Sequence, residues 1–160
     1  MNLLIIISAQ YLYLLVIAAI AIAWWLSPKN IKKQFLLSII LAGAIAFILS
    51  RIASRLYYDP RPFVTEHVKP LIPHAADNGF PSDHALLTGT LTAITYFFKK
   101  NIANIMLALT VIIGIARVLA KVHSPLDIAG GWIFGIIGSV AGYYLARYIV
   151  TKYIARAPAK

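Results

Sequence analysis

Long apolar runs alternate with short polar connections along the whole chain. The first, Leu3 to Leu26, is an uncharged stretch of 24 residues. As a helix it would be about 36 Å long at roughly 1.5 Å per residue, more than the roughly 30 Å of bilayer hydrocarbon. It predicts one transmembrane span, with Trp24 and Trp25 near its end at the headgroup level. No basic residue precedes it and it exceeds a signal-peptide core, so a retained span is expected. The second run, Gln34 to Ser50, continues helically through Arg51 and Arg55 to about Tyr58, where Asp59-Pro60-Arg61-Pro62 stops it. His84 to Phe98 predicts a short third span and Ile102 to about Ala120 a fourth. Ser124-Pro125-Leu126-Asp127 reads as the start of a fifth, running to about Leu145. Gly131 with Gly135, and Gly138 with Gly142, place small residues four apart and predict close helix packing. Between spans two and three, Pro60, Pro62, Pro70, Pro73 and Gly79 predict an ordered loop without regular elements.

Composition agrees with the pattern. The 160 residues are 61% hydrophobic and 12% charged, with a mean hydropathy of +0.80, which excludes a soluble globular domain. The expected fold is an all-α integral membrane protein of one domain, a bundle of about five transmembrane helices with an active-site loop on the outer face. A net charge of +10 would suggest nucleic acid in a soluble protein, but here the cations fall at the ends of apolar runs, as topology determinants do. Nucleic acid is therefore not an expected partner; the bilayer is. Lys29, Lys32, Lys33, Lys99, Lys100, Arg147, Lys152, Arg156 and Lys160 gather on one side with no acid, while all five acids, all four histidines and the remaining six cations, Arg51, Arg55, Arg61, Lys69, Arg117 and Lys121, fall on the other. The positive-inside rule then puts the N-terminus outside, the C-terminus inside and the histidines outside. With no cysteine, disulfides and thiolate metal sites are excluded.

The outer side carries candidate chemistry from three segments: Arg61-Pro62, Pro81-Ser82-Asp83-His84, and Arg117 with His123 and Asp127. Ser82 can cap a helix starting at Asp83, and such an N-terminus suits an anion. Arg117 sits inside an apolar helix, where a lone cation needs an anionic ligand, a water-filled cavity or a structural partner such as Asp127. Arg61 is either a headgroup anchor or, converging with Arg117, half of a phosphate clamp. His123 and Asp127 are four apart, so the carboxylate can hold one ring nitrogen and leave the other free to attack. His84 offers a second imidazole to protonate a leaving group and then activate water. His74, Glu66 and His67 read most simply as loop polarity, although His74, Asp77 and His84 could also be grouped as a metal site.

These segments resemble the three signature motifs of the type 2 phosphatidic acid phosphatase superfamily, Lys-x6-Arg-Pro, Pro-Ser-Gly-His and Ser-Arg-x5-His-x3-Asp. Arg61 and Pro62 match the first, Pro81, Ser82 and His84 the second, and Arg117, His123 and Asp127 the third at its full spacing. The stretch Leu71 to His84 is further similar to the bacterial undecaprenyl-diphosphatase branch, which often has Asp in the third position of the second motif. Ser54 stands where the first motif has lysine, flanked in helical space by Arg51 and Arg55. Asp83 replaces a glycine and Ala116 a serine, and five spans stand against the usual six. By matched position the resemblance implies His123 as nucleophile forming a phosphohistidine, Asp127 orienting it, and His84 as general acid and then base. Arg61, Arg117 and Ser82 would bind phosphoryl oxygens, with Arg55 and Asp83 as further substrate contacts. No metal or cofactor is implied. The expected function is hydrolysis of the terminal phosphate of undecaprenyl diphosphate at the outer face of a bacterial plasma membrane. Another lipid phosphate (lipid A 1-phosphate, phosphatidylglycerol phosphate or phosphatidic acid) is the alternative substrate, and a non-catalytic binder of anionic lipid the alternative class.

Overall fold

The computed structural model describes residues 2–154; Arg156 and Lys160, counted above among the inner-side cations, lie outside the described residues. The elements are α1 (Asn2–Gln10), α2 (Tyr13–Trp25), α3 (Lys29–Leu56), α4 (Pro62–Thr65), α5 (Asp83–Tyr96), α6 (Lys100–Leu119) and α7 (Pro125–Ile149), the last running into a π-helical turn at Val150–Ile154. Three stretches are long and apolar enough to cross a membrane: α3, α6, and α7 with its π turn as far as Tyr153. The chain is a multi-pass membrane protein.

The first apolar run departs from expectation. It is two helices, α1 and α2, bent by 44° at a break around Tyr11 and Leu12, so it forms a fourth crossing only as a bent pair. No proline or glycine marks the break. The cause is tertiary. Arg117 Nη1 donates to the Ala9 carbonyl at 3.1 Å, an oxygen that a straight helix would pair with the Tyr13 amide. Ala9 is also packed against Ile72, Ala116, Ala120 and Val122.

Other boundaries shift for simpler reasons. α3 starts at Lys29, earlier than the first apolar residues, because lysines are good helix formers whose stems lie along the helix surface. α5, the expected third span, has only 14 residues, about 21 Å at roughly 1.5 Å per residue, so it reaches the lysine end only because it starts below the bilayer surface. Its cap, Ser82, is fully buried, so this helix begins inside the bundle. The connecting loop also holds one regular piece, α4, which Pro62 opens at its first position.

The bundle buries hydroxyl side chains beside an apolar core of Val16, Phe35, Ile94, Met106 and Ile113 and is apolar without. Ser38, Ser50, Thr88, Thr92, Thr110 and Ser139 are buried, while Leu14, Ile40, Phe47, Ile105, Ile112 and Ile133 are exposed, as suits a lipid surround. The Thr92 and Thr110 hydroxyls meet at 2.9 Å between α5 and α6, and Ser139 donates to the Thr90 carbonyl at 3.0 Å between α7 and α5. The glycine stripe of α7 acts as its spacing predicts. A Cβ on Gly131 would stand 2.8 Å from the Ser82 carbonyl oxygen, and one on Gly135 2.7 Å from the Thr90 nitrogen, so α5 lies directly on α7. Gly138 and Gly142 meet Ala42 and Ala46 of α3 in the same way.

These packings sort the two ends. Trp24 Nε1 donates to the Lys32 carbonyl at 3.2 Å, Phe35 stacks on Phe98 at 4.2 Å, and Phe98 meets Tyr143 at 5.6 Å. The lysine-bearing turns therefore share one end. Loop 57–82, the start of α5 and the α6–α7 turn occupy the other.

Candidate active site

Local rules build the site from the start of α7 outward. Ser124 and Asp127 form a capping box: the Ser124 hydroxyl accepts from the Asp127 amide at 3.2 Å, and Asp127 Oδ2 accepts from the Ser124 amide at 2.8 Å. The same carboxylate oxygen takes the Nδ1 hydrogen of His123 at 3.1 Å. A helix cap thereby doubles as the device that orients an imidazole. With the proton on Nδ1, the lone pair is on Nε2. The pair is sealed from solvent, His123 being 3% exposed and Asp127 0%. Gly79 is required opposite, since a Cβ there would come within 2.7 Å of Asp127 Oδ2.

Two guanidinium groups face Nε2. Arg117 Nη2 lies 3.1 Å from it and Arg61 Nη1 3.3 Å. Arg61 is further held by Asp77 through Nε at 2.7 Å and by the Val122 carbonyl at 2.8 Å. Arg117 is different: it is buried, yet among the described residues it has no ion pair. Asp127, its possible structural partner in the sequence, is committed to His123 and Ser124. Arg117 instead donates to the Ala9 carbonyl and to His74 Nε2, and among the described residues its Nε has no partner. A buried guanidinium with no carboxylate partner, beside an unprotonated imidazole nitrogen, suits an anion.

A cavity of about 320 Å³ opens over these groups. Its wall includes Arg61, Arg117, His123, His84 and Asp83, brought together from three segments of the chain. His84 lies edge-on to Tyr13, ring centroids 5.1 Å apart. Asp127 stands behind His123. Ser82 lies under the wall, its amide donating to the Asp127 carbonyl at 3.0 Å and its hydroxyl accepting from the Ala85 amide at 3.5 Å, the expected cap of α5. Arg55 is exposed and off the cavity; Arg51, one turn earlier, is on its wall and pairs with Asp83 at 2.6 Å. An arginine at 51 projects from the face of α3 that turns toward α5, whereas residue 55 lies past the end of that contact.

Three loop residues belong to the site beyond those the motifs named. His74 accepts from Arg117, its Nδ1 lies 3.0 Å from the Pro73 carbonyl, and its ring is 5.9 Å from that of His123. Asp77 holds Arg61. Asn78 pins the loop to the end of α3: its amide nitrogen donates to the Ser54 and Tyr57 carbonyls at 3.0 and 2.9 Å, and its oxygen accepts from the Asp59 and Phe80 amides. The signal available for Asp77 was the need of a recessed Arg61 for a nearby acid. His74 carried no comparable signal. Among the described residues, no three of His, Asp or Glu are placed to hold a metal ion, and His74, Asp77 and His84 do not form such a group.

Electrostatics favour a neutral His123 and a positive cavity. Burial, reinforced by Arg117 and Arg61, pulls the His123 pKa below the ordinary value of 6.5, with Asp127 opposing the shift. Burial does the same to His74. The hydrogen bond from Arg61 holds Asp77 below the usual carboxylate value.

Comparison with known proteins gives a consistent result. Over 126 residues the chain is 31% identical to the bacitracin transport permease protein BcrC of Bacillus licheniformis, covering 78% of this chain and 62% of that one. It is 30% identical over 120 residues to the undecaprenyl-diphosphatase BcrC of Bacillus subtilis, covering 75% and 62%. The chain thus matches less than two thirds of the length of these relatives. The crystal structure of Aquifex aeolicus LpxE superposes with a TM-score of 0.60 at 26% identity, covering 88% of this chain and 81% of that one. The profile of the PAP2 superfamily matches residues 32–151, which include all three motif segments and every helix that builds the cavity, and the chain belongs to that superfamily.

Proposed function

We propose that the protein is a lipid phosphatase that removes the terminal phosphate of undecaprenyl diphosphate through a phosphohistidine. The observation that carries this reading is Arg117, a buried cation with no carboxylate partner that converges with Arg61 on the free Nε2 of His123. The relatives named undecaprenyl-diphosphatase support the choice of lipid.

In the proposed first step, His123 Nε2 attacks the terminal phosphorus as the bond to the bridging oxygen breaks. The lipid monophosphate leaves with a proton from His84. Arg61 and Arg117 neutralise the equatorial oxygens as charge develops on them, and the unpartnered Arg117 Nε is a further donor for that purpose. Asp127 stabilises the His123 ring as it becomes positive. In the second step His84 takes a proton from water, the hydroxide attacks phosphorus, and the P–N bond breaks. Inorganic phosphate leaves and both imidazoles return to their starting states. The helix N-terminus capped by Ser82 adds a favourable dipole for the anion.

Charge asymmetry supports a site on the external face of the bacterial plasma membrane, because the opposite end carries the acid-free lysine turns. A carrier lipid left there after its cargo is transferred would be the substrate pool.

Purified protein in detergent is expected to release phosphate from undecaprenyl diphosphate, to yield an acid-labile phosphohistidine on rapid quenching, and to lose both with His123→Ala. Release that persists in His123→Ala would overturn the mechanism. A lipid panel including phosphatidic acid, phosphatidylglycerol phosphate and lipid A 1-phosphate tests the substrate: faster turnover of any of them would replace the proposed lipid.

A further inference from the structure

A second cavity, of about 450 Å³, lies between α3 and α5 and shares two wall residues with the catalytic cavity, Arg51 and Asp83. Away from that pair it is almost wholly apolar. On α3 its wall is built at four-residue intervals, Ile39, Gly43 and Phe47 leading up to Arg51; on α5, Leu91 and Leu87 lead up to Asp83. Residues four apart lie on one helix face, so two facing stripes descend from the ion pair into the bundle wall, about 18 Å over the twelve residues from Arg51 to Ile39 at roughly 1.5 Å each. Gly43 keeps the groove open at mid-depth: a Cβ there would meet no atom within 4 Å.

We infer that this groove holds the hydrocarbon tail of the lipid whose phosphate enters the catalytic cavity, with Arg51 and Asp83 at the junction of tail and headgroup. The inference rests on the phosphatase reading above. Two observations select this occupant. The groove adjoins, at the Arg51–Asp83 pair, a cavity whose cations suit a phosphate, and an apolar groove beside a phosphate site fits an amphiphile and no soluble anion. Two further apolar hollows, one lined by Ala93, Asn104 and Trp132 among α5, α6 and α7 and one by Gly114, Val118 and Ile128 between α6 and α7, share no residue with the catalytic cavity. The Arg51–Asp83 pair is also suited to the junction. Its side chains are 42% and 72% exposed, so exchanging Asp83 for a phosphoryl oxygen costs Arg51 little. In a bound diphosphate the distal phosphorus would sit at His123 and the phosphate nearest the tail at Arg51.

The test compares undecaprenyl diphosphate with isopentenyl diphosphate, which carries the same anhydride on a single isoprene unit. Gly43→Leu fills the groove without touching backbone, and Leu87→Phe narrows it from the opposite helix. Each is expected to lower the ratio of kcat/KM for the long lipid to that for the short one by about tenfold, the equivalent of roughly two methylenes expelled from contact. Ala93→Leu, in a separate hollow, is expected to leave that ratio where it was. An unchanged ratio in both groove variants, with wild type active on both compounds, overturns the groove assignment and leaves the phosphatase reading standing. Wild-type protein that releases phosphate from neither compound overturns both.

Discussion

Arg117 reaches across 108 positions of sequence to the carbonyl of Ala9, and at 3.1 Å this bond joins the arginine-lined cavity to the bend between the first two helices. One guanidinium thus does two jobs: it fixes the angle at which α1 meets α6, and it points Nη2 at His123 and His74. The arrangement needs a planar fork with several donors in fixed directions, which an ammonium group lacks. Arg117→Lys should keep the charge and lose the geometry, lowering kcat by about 100-fold with a smaller change in KM. Phosphate release kinetics would check it, and a near-normal kcat would mean that charge alone suffices.

Asn78 decides whether the loop closes over the site. It supplies donors to α3 and acceptors to Asp59 and Phe80, so its loss leaves several recessed backbone groups unpaired. Asn78→Ala should destabilise the loop by about 1–3 kcal/mol. Limited proteolysis within residues 66–77 should accelerate, with little change in global melting temperature. Asn78→Asp restores the acceptors only, and protection between that of wild type and Asn78→Ala is expected.

The bundle predicts its own weak points. On α7, Gly142 lies so close to the Ala42 backbone that any side chain must push α3 away, whereas the Gly43 position on α3 is open. Gly142→Leu should lower stability in detergent by about 1–3 kcal/mol or more through overpacking, while Gly43→Leu leaves the melting temperature within a few degrees. Thermal unfolding followed by circular dichroism separates the two. Equal losses would contradict the close α3–α7 approach.

How much of this was legible beforehand depends on whether the determinant is local. The helix caps and the glycine stripe are local, and Ser82, Ser124, Asp127 and Gly131 through Gly142 take the places their spacing implies. The motif residues His84, His123, Arg61 and Arg117 could be assembled because each follows a recognisable break or falls inside an apolar helix. The bend after Gln10 could not be read, since its cause is a side chain on another helix. His74 had no signal for the same reason: its role exists only through Arg117. The choice between Arg51 and Arg55 was ambiguous because both lie near the end of a helix, and only the packing of α3 on α5 fixes which one faces the cavity.

The acid limb of the pH dependence follows from His123, the alkaline limb from the proposed proton donor His84. In the proposed mechanism His123 must be neutral to attack, and burial with its two arginine neighbours lowers its pKa below 6.5. Activity governed by this group is present above its folded pKa and lost as pH falls through it, so its acid limb should lie below pH 6.5. Nitrogen-15 NMR of histidine-labelled protein should place its midpoint there, with Nδ1 carrying the proton in the neutral form. A midpoint above 6.5 would mean that Asp127 outweighs burial and the arginines.

The last prediction concerns the side of the membrane on which this chemistry occurs. Packing gathers Lys29, Lys32, Lys33, Lys99 and Lys100 at one end of the bundle, through the contacts of Trp24 with Lys32 and of Phe98 with Phe35 and Tyr143. Asp59, Glu66, Asp77, Asp83 and Asp127, all the acids of the chain, lie at or near the other end beside the histidines. Short basic loops are retained in the cytoplasm, which predicts an outward-facing cavity. Alkaline phosphatase, active only after export, should therefore work when fused after Lys69 in the catalytic loop and be silent when fused after Lys100. The opposite result would put the cavity in the cytoplasm. Its substrate would then be a lipid phosphate of the inner leaflet, and a role in recycling an externally released carrier would fall even if the phosphohistidine chemistry stood.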